Sequence, residues 1–172
     1  MPSRTAPPTV SRRARATVVA ALVLAGTALA GVVGHQAGAA SSVTHLDPAL
    51  LVALRRAEAA AAVDGVEVVV NSGWRSREHQ EELFEKAVTT YGSEHEAARW
   101  VATADTSPHV SGDAVDVGTS AAARWLSEHG ATYGLCQVYD NEPWHYELRP
   151  AAAAHGCPSR YADPTEDPRM RR

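Results

Sequence analysis

The chain has no excess of positive charge with which to bind a polyanion. It carries 16 Lys and Arg against 20 Asp and Glu, for a formal net charge of −4. Four of the basic residues fall within positions 1–39, where no acidic residue occurs, so the remainder carries 12 minus 20, or −8. An acidic domain is repelled by phosphate backbones. This balance argues against nucleic acid as a partner and against electrostatic docking on an anionic surface.

The N-terminal segment lacks charge altogether over residues 16–34, which are mostly Ala, Val and Leu and follow four arginines. A basic start, an apolar stretch and the small residues Ala37-Gly38-Ala39 are typical of a secretory signal peptide. We therefore predict that residues 1–39 are a signal peptide and that the domain is secreted. The alternative is an uncleaved anchor, because nineteen uncharged residues approach the length that spans a bilayer. The domain is exported in either case, and membrane contact would be confined to this segment.

Cysteine is scarce, with Cys136 and Cys157 alone in the chain. Both lie in the part predicted to be exported, where an oxidising compartment favours disulfides. We predict one Cys136–Cys157 disulfide that ties the C-terminal tail, residues 151–172, to the domain. The alternative is a pair of free buried thiols.

Helical and strand patterns follow one another without regular alternation, which favours a single small α+β domain over a doubly wound sheet. Asp47-Pro48 followed by apolar residues at helical spacing predicts a helix to about Val63. Further helices are expected over 77–89, over 94–101 after Ser93, and over 121–129 after a Ser120 cap. Strands are expected over 66–70, 114–117, 133–139 and 144–148, with a loop over 103–112. The tail after Pro150 is rich in Pro, Asp and Arg and is expected to be extended and partly disordered.

Two imidazoles and a carboxylate in two nearby motifs can converge on one zinc ion. His109 and Asp116 are seven residues apart with Gly112 between them, and glycine permits the reversal that would bring both side chains together. His145 ends the motif Glu142-Pro143-Trp144-His145. Catalytic zinc uses three N or O ligands and leaves a fourth position for water. The alternatives are a loop histidine, a capping aspartate and a hairpin turn with exposed charge.

Glu142 is a carboxylate three residues before His145, and a carboxylate beside the metal that is not a ligand can take the proton of the bound water. Pro143 interrupts regular strand pairing, so Glu142 can turn back toward the metal. Trp144 would form an apolar wall that limits access of water.

Arg75 follows the predicted strand in Ser72-Gly73-Trp74-Arg75-Ser76. Its fork of donors suits an oxyanion or a substrate carboxylate. The alternative is a salt bridge to a nearby glutamate. Ser107, Ser72, Gln80 and Trp144 are further candidates for contact with substrate.

Three segments, 72–76, 107–116 and 142–145, together resemble the zinc D-alanyl-D-alanine carboxypeptidases and dipeptidases of the VanY/VanX type. The similarity covers roughly residues 46–149, so a zinc peptidase domain is expected over 46–150. The resemblance implies a small α+β fold shared with Hedgehog signalling domains, in which helices pack on a central antiparallel sheet that holds the metal.

The resemblance also implies a role for each matching residue. His109, Asp116 and His145 would be the zinc ligands, Glu142 the general base, and Arg75 the group that stabilises the transition state. The expected partner is the peptidoglycan stem peptide, and the expected protein is a monomer outside the bacterial cytoplasm, associated with the cell wall.

The implied activity is hydrolysis of the terminal D-alanyl-D-alanine bond by a D,D-carboxypeptidase. One alternative is an L,D-endopeptidase that cuts within the stem peptide, because the same catalytic set serves both reactions. Another is a zinc-stabilised wall-binding module without catalysis, against which the presence of Glu142 and Arg75 argues.

Overall fold

A computed structural model describes residues 43–171 of the chain. The predicted signal peptide, residues 1–39, lies outside the described residues, so the structure does not bear on it. Within 43–171, the helices are all too short or too polar to cross a membrane.

The first helix, α1 (Pro48–Val63), begins where the sequence predicts. The carboxylate of Asp47 accepts hydrogen bonds from the backbone N–H groups of Ala49 and Leu50 at 2.8 and 3.0 Å. These bonds satisfy donors that the start of a helix leaves unpaired. One face of α1 is buried, with Leu50 and Leu54 fully inaccessible.

The remaining elements follow with short connections. The helices are α2 (Arg77–Tyr91), α3 (Glu94–Ala97), α4 (Pro108–Ser111), α5 (Ser120–His129) and α6 (Ala152–His155), and the strands are β1 (Val70–Ser72), β2 (Ala114–Val117), β3 (Leu135–Gln137) and β4 (His145–Leu148). Single turns of 3-10 helix lie at Gly130–Tyr133, Pro164–Glu166 and Pro168–Met170.

The four described strands form one antiparallel sheet in the order β1-β2-β4-β3. Across β1 and β2, Ser72 stands opposite Asp116, and across β2 and β4, Asp116 stands opposite His145. The pairing register therefore aligns three polar residues in one row across the sheet. The predicted α+β class with a central antiparallel sheet is confirmed.

The two faces of the sheet have different partners because side chains alternate along a strand. Val115, Val117 and Tyr146 join the apolar face of α1 and Leu126 of α5 in the hydrophobic core. Burying a leucine side chain completely contributes about 1.5–3 kcal/mol. Asp116 and His145 occupy alternate positions on the same strands and face away from this core.

Several element boundaries differ from the sequence prediction. The first strand begins at Val70 instead of residue 66, because β2, its only described partner, is four residues long. The predicted strand over 133–139 is confined to β3. The expected helix over 94–101 is capped by Ser93 as predicted but ends at Ala97.

Two further differences from the sequence prediction are explained by side chains that cap helices. The predicted loop over 103–112 contains the short helix α4, because Ser107 accepts a hydrogen bond from the N–H of His109 and Pro108 fits the first helical turn. Helix α5 is capped by Thr119 instead of Ser120, since the Thr119 hydroxyl accepts from the N–H of Ala122 at 3.0 Å.

The prediction of an extended, partly disordered tail is wrong for the described residues up to 171. Asp163 and Asp167 are buried there, and backbone hydrogen bonds join Tyr161 to Val138 and to Asp140. The polar composition predicted a segment exposed to solvent, but side chains elsewhere in the fold bond to the buried carboxylates of Asp163 and Asp167. Arg99 bonds to Asp163 at 2.9 Å.

The predicted Cys136–Cys157 disulfide is confirmed, with the two Cα atoms 5.6 Å apart. It connects β3 to the start of the segment that returns across the domain.

Loss of this disulfide is expected to lower the free energy of unfolding by about 3 kcal/mol, because the bridge closes a loop of about twenty residues in the unfolded chain. Chemical unfolding of the Cys136→Ala/Cys157→Ala double variant measures this. Thiol titration of the denatured, unreduced wild type should detect no free sulfhydryl, and two free thiols would contradict the pairing.

Candidate metal centre and active-site cleft

Three predicted ligands meet at one point, although they come from separate elements. His109 Nε2 lies 3.2 Å from His145 Nδ1. Asp116 Oδ1 lies 3.1 Å from the His145 nitrogen and 3.3 Å from the His109 nitrogen. Ligands placed 2.0–2.1 Å from a tetrahedral zinc ion stand roughly 3.3 Å apart. The trio thus fits the size and the donor set of a zinc site.

The backbone fixes the ring orientation of His109. Its Nδ1 lies 2.8 Å from the carbonyl oxygen of Gly73. Because a carbonyl only accepts, Nδ1 carries the hydrogen in the neutral ring, and the lone pair of Nε2 is left for a metal. Gly112 ends α4 with φ of +82°, which provides the predicted reversal between His109 and Asp116.

His145 is oriented in the same way by a carboxylate. Its Nε2 lies 3.4 Å from Glu147 Oε1, two residues further along the same face of β4. A carboxylate behind a ligand histidine fixes the ring and the tautomer. In the neutral ring the Nδ1 lone pair is therefore directed toward Asp116 and His109.

Glu142 lies beside the three candidate ligands but outside their cluster. Its Oε2 is 3.9 Å from His145 Nδ1, and the residue is buried. Burial raises the pKa of Glu142 to about 7, and the charge of Asp116 adds to the rise. A carboxyl group with a pKa near neutrality is suited to accepting and returning a proton.

Arg75 is held in the wall of the site by three side chains. Its Nε donates to Ser72 Oγ at 2.7 Å, Nη1 to Gln80 Oε1 at 3.1 Å, and Nη2 to Asp116 Oδ2 at 2.5 Å. Asp116 thus presents one oxygen to the metal position and the other to Arg75. A guanidinium has five N–H donors. Two remain after these bonds.

Ser72 and Gln80, both predicted to contact substrate, accept hydrogen bonds from Arg75. The amide nitrogen of Gln80 also donates to the carbonyl of Ala102 at 2.8 Å, and the side chain is almost fully buried. Their placement fixes the guanidinium, and direct contact with substrate stays a prediction.

The charges of the trio are strongly coupled. Burial opposes the charge of Asp116, but the two imidazoles outweigh it and hold the pKa of this carboxyl well below its ordinary value. Burial lowers the pKa of His109. Burial also opposes a charge on His145, but hydrogen bonds to Asp116 and Glu147 prevail and raise its pKa to about 9. In the metal-free protein, a proton on His145 supplies positive charge where a metal ion would.

A cleft of about 210 Å³ opens onto these groups. Its polar wall contains the catalytic and ligand candidates together with Ser107, and its apolar wall is formed by Leu83, Trp100, Val101, Tyr139, Trp144 and Pro164. Trp144 is 40% exposed and borders the cleft, as expected for an apolar wall. Every predicted site residue lines the cleft except Ser72, which supports Arg75 from behind.

The sequence interpretation missed the groups behind His145. Glu147 could have been found, because a residue two positions from a ligand on a strand shares its face. Arg169, which binds Glu147 from the tail, has no such local signal in the sequence.

The sequence model of the family VanY, D-alanyl-D-alanine carboxypeptidase, matches residues 43–151. The chain belongs to this family. The predicted resemblance is therefore confirmed.

A D-alanyl-D-alanine carboxypeptidase of Enterococcus faecalis is 34% identical over 112 residues, which is 51% of this chain and 42% of that protein. The chain thus spans less than half the length of this curated relative.

Solved structures agree with this assignment. The D,D-pentapeptidase VanY from a VanB-type resistance cassette, a mutant in complex with Zn(II), is 30% identical with a TM-score of 0.56 over 60% of this chain and 72% of that one. VanYB in complex with D-alanine-D-alanine is 30% identical with a TM-score of 0.59, over 64% and 75%. The L,D-carboxypeptidase DacB of Streptococcus pneumoniae is 28% identical with a TM-score of 0.53, over 66% and 74%.

Binding of Zn²⁺ to the metal-free protein at pH 7.5 is expected to release about one proton per ion. His145, with its pKa raised to about 9, is protonated at this pH, and only a neutral ring binds metal. The affinity should accordingly fall as the pH is lowered. Calorimetric titration in two buffers with different ionisation enthalpies measures the proton count, and binding without proton release would contradict this charge state.

Proposed function

We propose that this protein is a zinc-dependent D,D-carboxypeptidase that removes the terminal D-alanine from peptidoglycan stem peptides outside the cytoplasm. The observation that carries the proposal is the convergence of His109, Asp116 and His145 at metal-site spacing, with Glu142 and Arg75 in the same cleft. Membership of the VanY family supports the reaction, and the Zn(II) and D-alanine-D-alanine complexes of similar proteins support the metal and the substrate.

Zinc held by the trio would activate a water molecule and polarise the scissile carbonyl. Glu142 takes a proton from the attacking water and returns it to the leaving amine. The group must ionise readily and be protonated again in each turnover, and burial raises its pKa in the metal-free site, which favours its return to the protonated form. Burial keeps bulk water away from this proton.

Arg75 supplies the remaining positive charge in the cleft. Its two uncommitted N–H donors can bond to the developing oxyanion or to the terminal carboxylate of the substrate. Because three protein bonds already hold the guanidinium, little side-chain freedom is lost when substrate binds.

Export is supported by the basic, apolar and small-residue pattern of residues 1–39. The Cys136–Cys157 disulfide is in keeping with an oxidising compartment. N-terminal sequencing of the protein recovered from outside the cell distinguishes a cleaved signal peptide from a retained anchor.

An L,D-peptidase is the second candidate, because an L,D-carboxypeptidase of known structure is nearly as similar as the D,D-enzymes. Both reactions would use the same catalytic groups.

Purified protein incubated with muropeptides is expected to shorten pentapeptide stems by one alanine and to leave tetrapeptide stems intact. Mass spectrometry of the products measures this. Shortening of tetrapeptides would indicate an L,D-carboxypeptidase, an internal cut would indicate an endopeptidase, and unchanged stems from zinc-loaded protein would indicate a binding module.

Glu142→Ala is expected to keep its zinc and its fold while kcat falls by about 10²–10⁴-fold, because the general base is lost. Glu142→Gln should be nearly as poor, since an amide cannot accept the proton. Glu128→Ala removes an exposed carboxylate on α5 and is the matched control, for which no change is expected. Loss of zinc from Glu142→Ala would place Glu142 among the ligands, and near-normal turnover would refute its role as base.

Arg75→Lys is also expected to lose activity while zinc remains bound, because one ammonium group cannot reproduce the guanidinium fork. Arg77→Lys is the control, since this neighbouring arginine is exposed and pairs with Asp105 outside the cleft. Steady-state kinetics measure the loss of activity, and elemental analysis measures the zinc that remains bound. Equal activity of the Arg75 and Arg77 variants would contradict the role assigned to Arg75.

A further inference from the structure

The C-terminal tail lies beyond residues 43–151, which the family model matches, yet it contacts a group behind the metal ligands. Arg169 Nη1 donates to Glu147 Oε2 at 2.7 Å, and Nη2 donates to Oε1 at 3.0 Å. This is the two-pronged arrangement that a guanidinium makes with a carboxylate. Glu147 is 1% exposed, so its carboxylate is shielded from water, while the Arg169 side chain remains 38% exposed.

The oxygen that faces His145 is the one that Arg169 holds. Glu147 Oε1 lies 3.4 Å from His145 Nε2 and 3.0 Å from Arg169 Nη2. Arg149 also reaches Glu147, but through Oε2 at 2.8 Å. Among the described residues, Arg169 is thus the arginine that fixes Oε1.

Arg169 is itself held in place. Its Nε lies 3.1 and 3.0 Å from the two carboxylate oxygens of Asp167, and its Nη2 lies 2.5 Å from Asp167 Oδ2. Asp167 is fully buried and also accepts from the Tyr139 hydroxyl at 3.0 Å. The Tyr139 ring in turn packs against the His145 ring, with centroids 5.3 Å apart. Arg169, Asp167, Tyr139 and Glu147 are thus linked to one another, and two of them, Tyr139 and Glu147, contact His145.

The path of the tail explains how Arg169 reaches this position. Cys157 is bonded to Cys136, and Cys136 stands opposite Glu147 in the pairing of β3 with β4. The Tyr161 N–H then bonds to the Val138 carbonyl at 3.0 Å. The disulfide and this hydrogen bond direct the following residues back across the sheet.

We infer that Arg169 is a positioning residue for the metal centre: it holds Glu147 so that Glu147 fixes the ring of His145 and aims Nδ1 at the metal. The inference rests on the metal site of the proposed function but not on the substrate. By this inference the C-terminal tail contributes to the metal centre through Arg169.

The test is the zinc affinity of the full chain, measured on metal-free protein by competition with a chromophoric chelator. Arg169→Met is expected to weaken binding by about 10–100-fold, the range typical of groups that support a metal ligand. Arg169→Lys should recover part of the loss, since it restores the charge but not the fork. Arg160→Gln, which removes an exposed arginine of the same tail paired with Asp140, should bind zinc as tightly as wild type.

A double-mutant cycle separates positioning from general stabilisation. If Arg169 acts through Glu147, Glu147→Gln/Arg169→Met should bind zinc no more weakly than Glu147→Gln alone. The absorption spectrum of the Co²⁺-substituted protein should shift for Arg169→Met and Arg169→Lys but not for Arg160→Gln. Thermal unfolding of the metal-free variants shows which of them are folded. If Arg169→Met is unfolded, the affinity and the spectrum of Arg169→Lys serve as the test.

Wild-type affinity and an unshifted spectrum in a folded Arg169 variant would overturn the inference, as would additive losses in the double variant. Wild type that binds no zinc would overturn it together with the proposed metal site. Failure of the muropeptide assay alone would affect the proposed substrate and leave the role of Arg169 standing.

Discussion

The pairing of β2 with β4 is the constraint on which the site depends. In this register Asp116 stands directly opposite His145, and Val115 stands opposite Tyr146. If either strand slipped by one residue, its own polar side chain, Asp116 or His145, would turn into the core and its apolar neighbours would be exposed. Burial of Val115 and Tyr146 in the hydrophobic core therefore holds two metal-ligand candidates on the opposite face of the sheet.

The rest of the site is organised by arginines that pair with buried carboxylates. Asp116, Glu147 and Asp167 are carboxylates taken largely out of water, and their charge is costly there unless it is paired. Arg75 pairs with Asp116, while Arg169 pairs with both Glu147 and Asp167. Glu142 has no arginine within ion-pair distance among the described residues, and its pKa is correspondingly raised to about 7. Glu142, the group proposed to exchange a proton, is thus the carboxylate without an arginine partner.

The same arrangement relates the fold to the proposed chemistry. The candidate ligands come from a sheet and from a capped helix, and the hydrophobic core and local hydrogen bonds hold both elements in place. Metal sites need ligands placed in advance and supported from behind. Gly73 supports His109 and Glu147 supports His145, so each imidazole has a fixed partner on the side away from the metal position. The cleft wall bears Trp144 and Pro164, the second of which comes from the tail.

The sequence by itself determined the elements that depend on local chemistry. The Asp47 cap, the reversal at Gly112 and the candidate ligands were readable because caps, glycine turns and ligand motifs involve residues close together in the chain. The fold class followed from the order of the predicted helices and strands, and the disulfide followed from the presence of two cysteines in a segment predicted to be exported.

The tertiary structure alone decided what depends on partners distant in the chain. Residues 66–69 have strand-like composition, but β2 is too short to pair with them. The tail is polar enough to suggest disorder, but Arg169 donates hydrogen bonds both to Asp167 and to Glu147, which is 22 residues away in the chain. Such pairings exist only once β4 and the disulfide have placed the groups together. A local pattern can nominate a ligand, but the fold determines which buried charges support it, because the cost of burying a charge depends on everything packed around it.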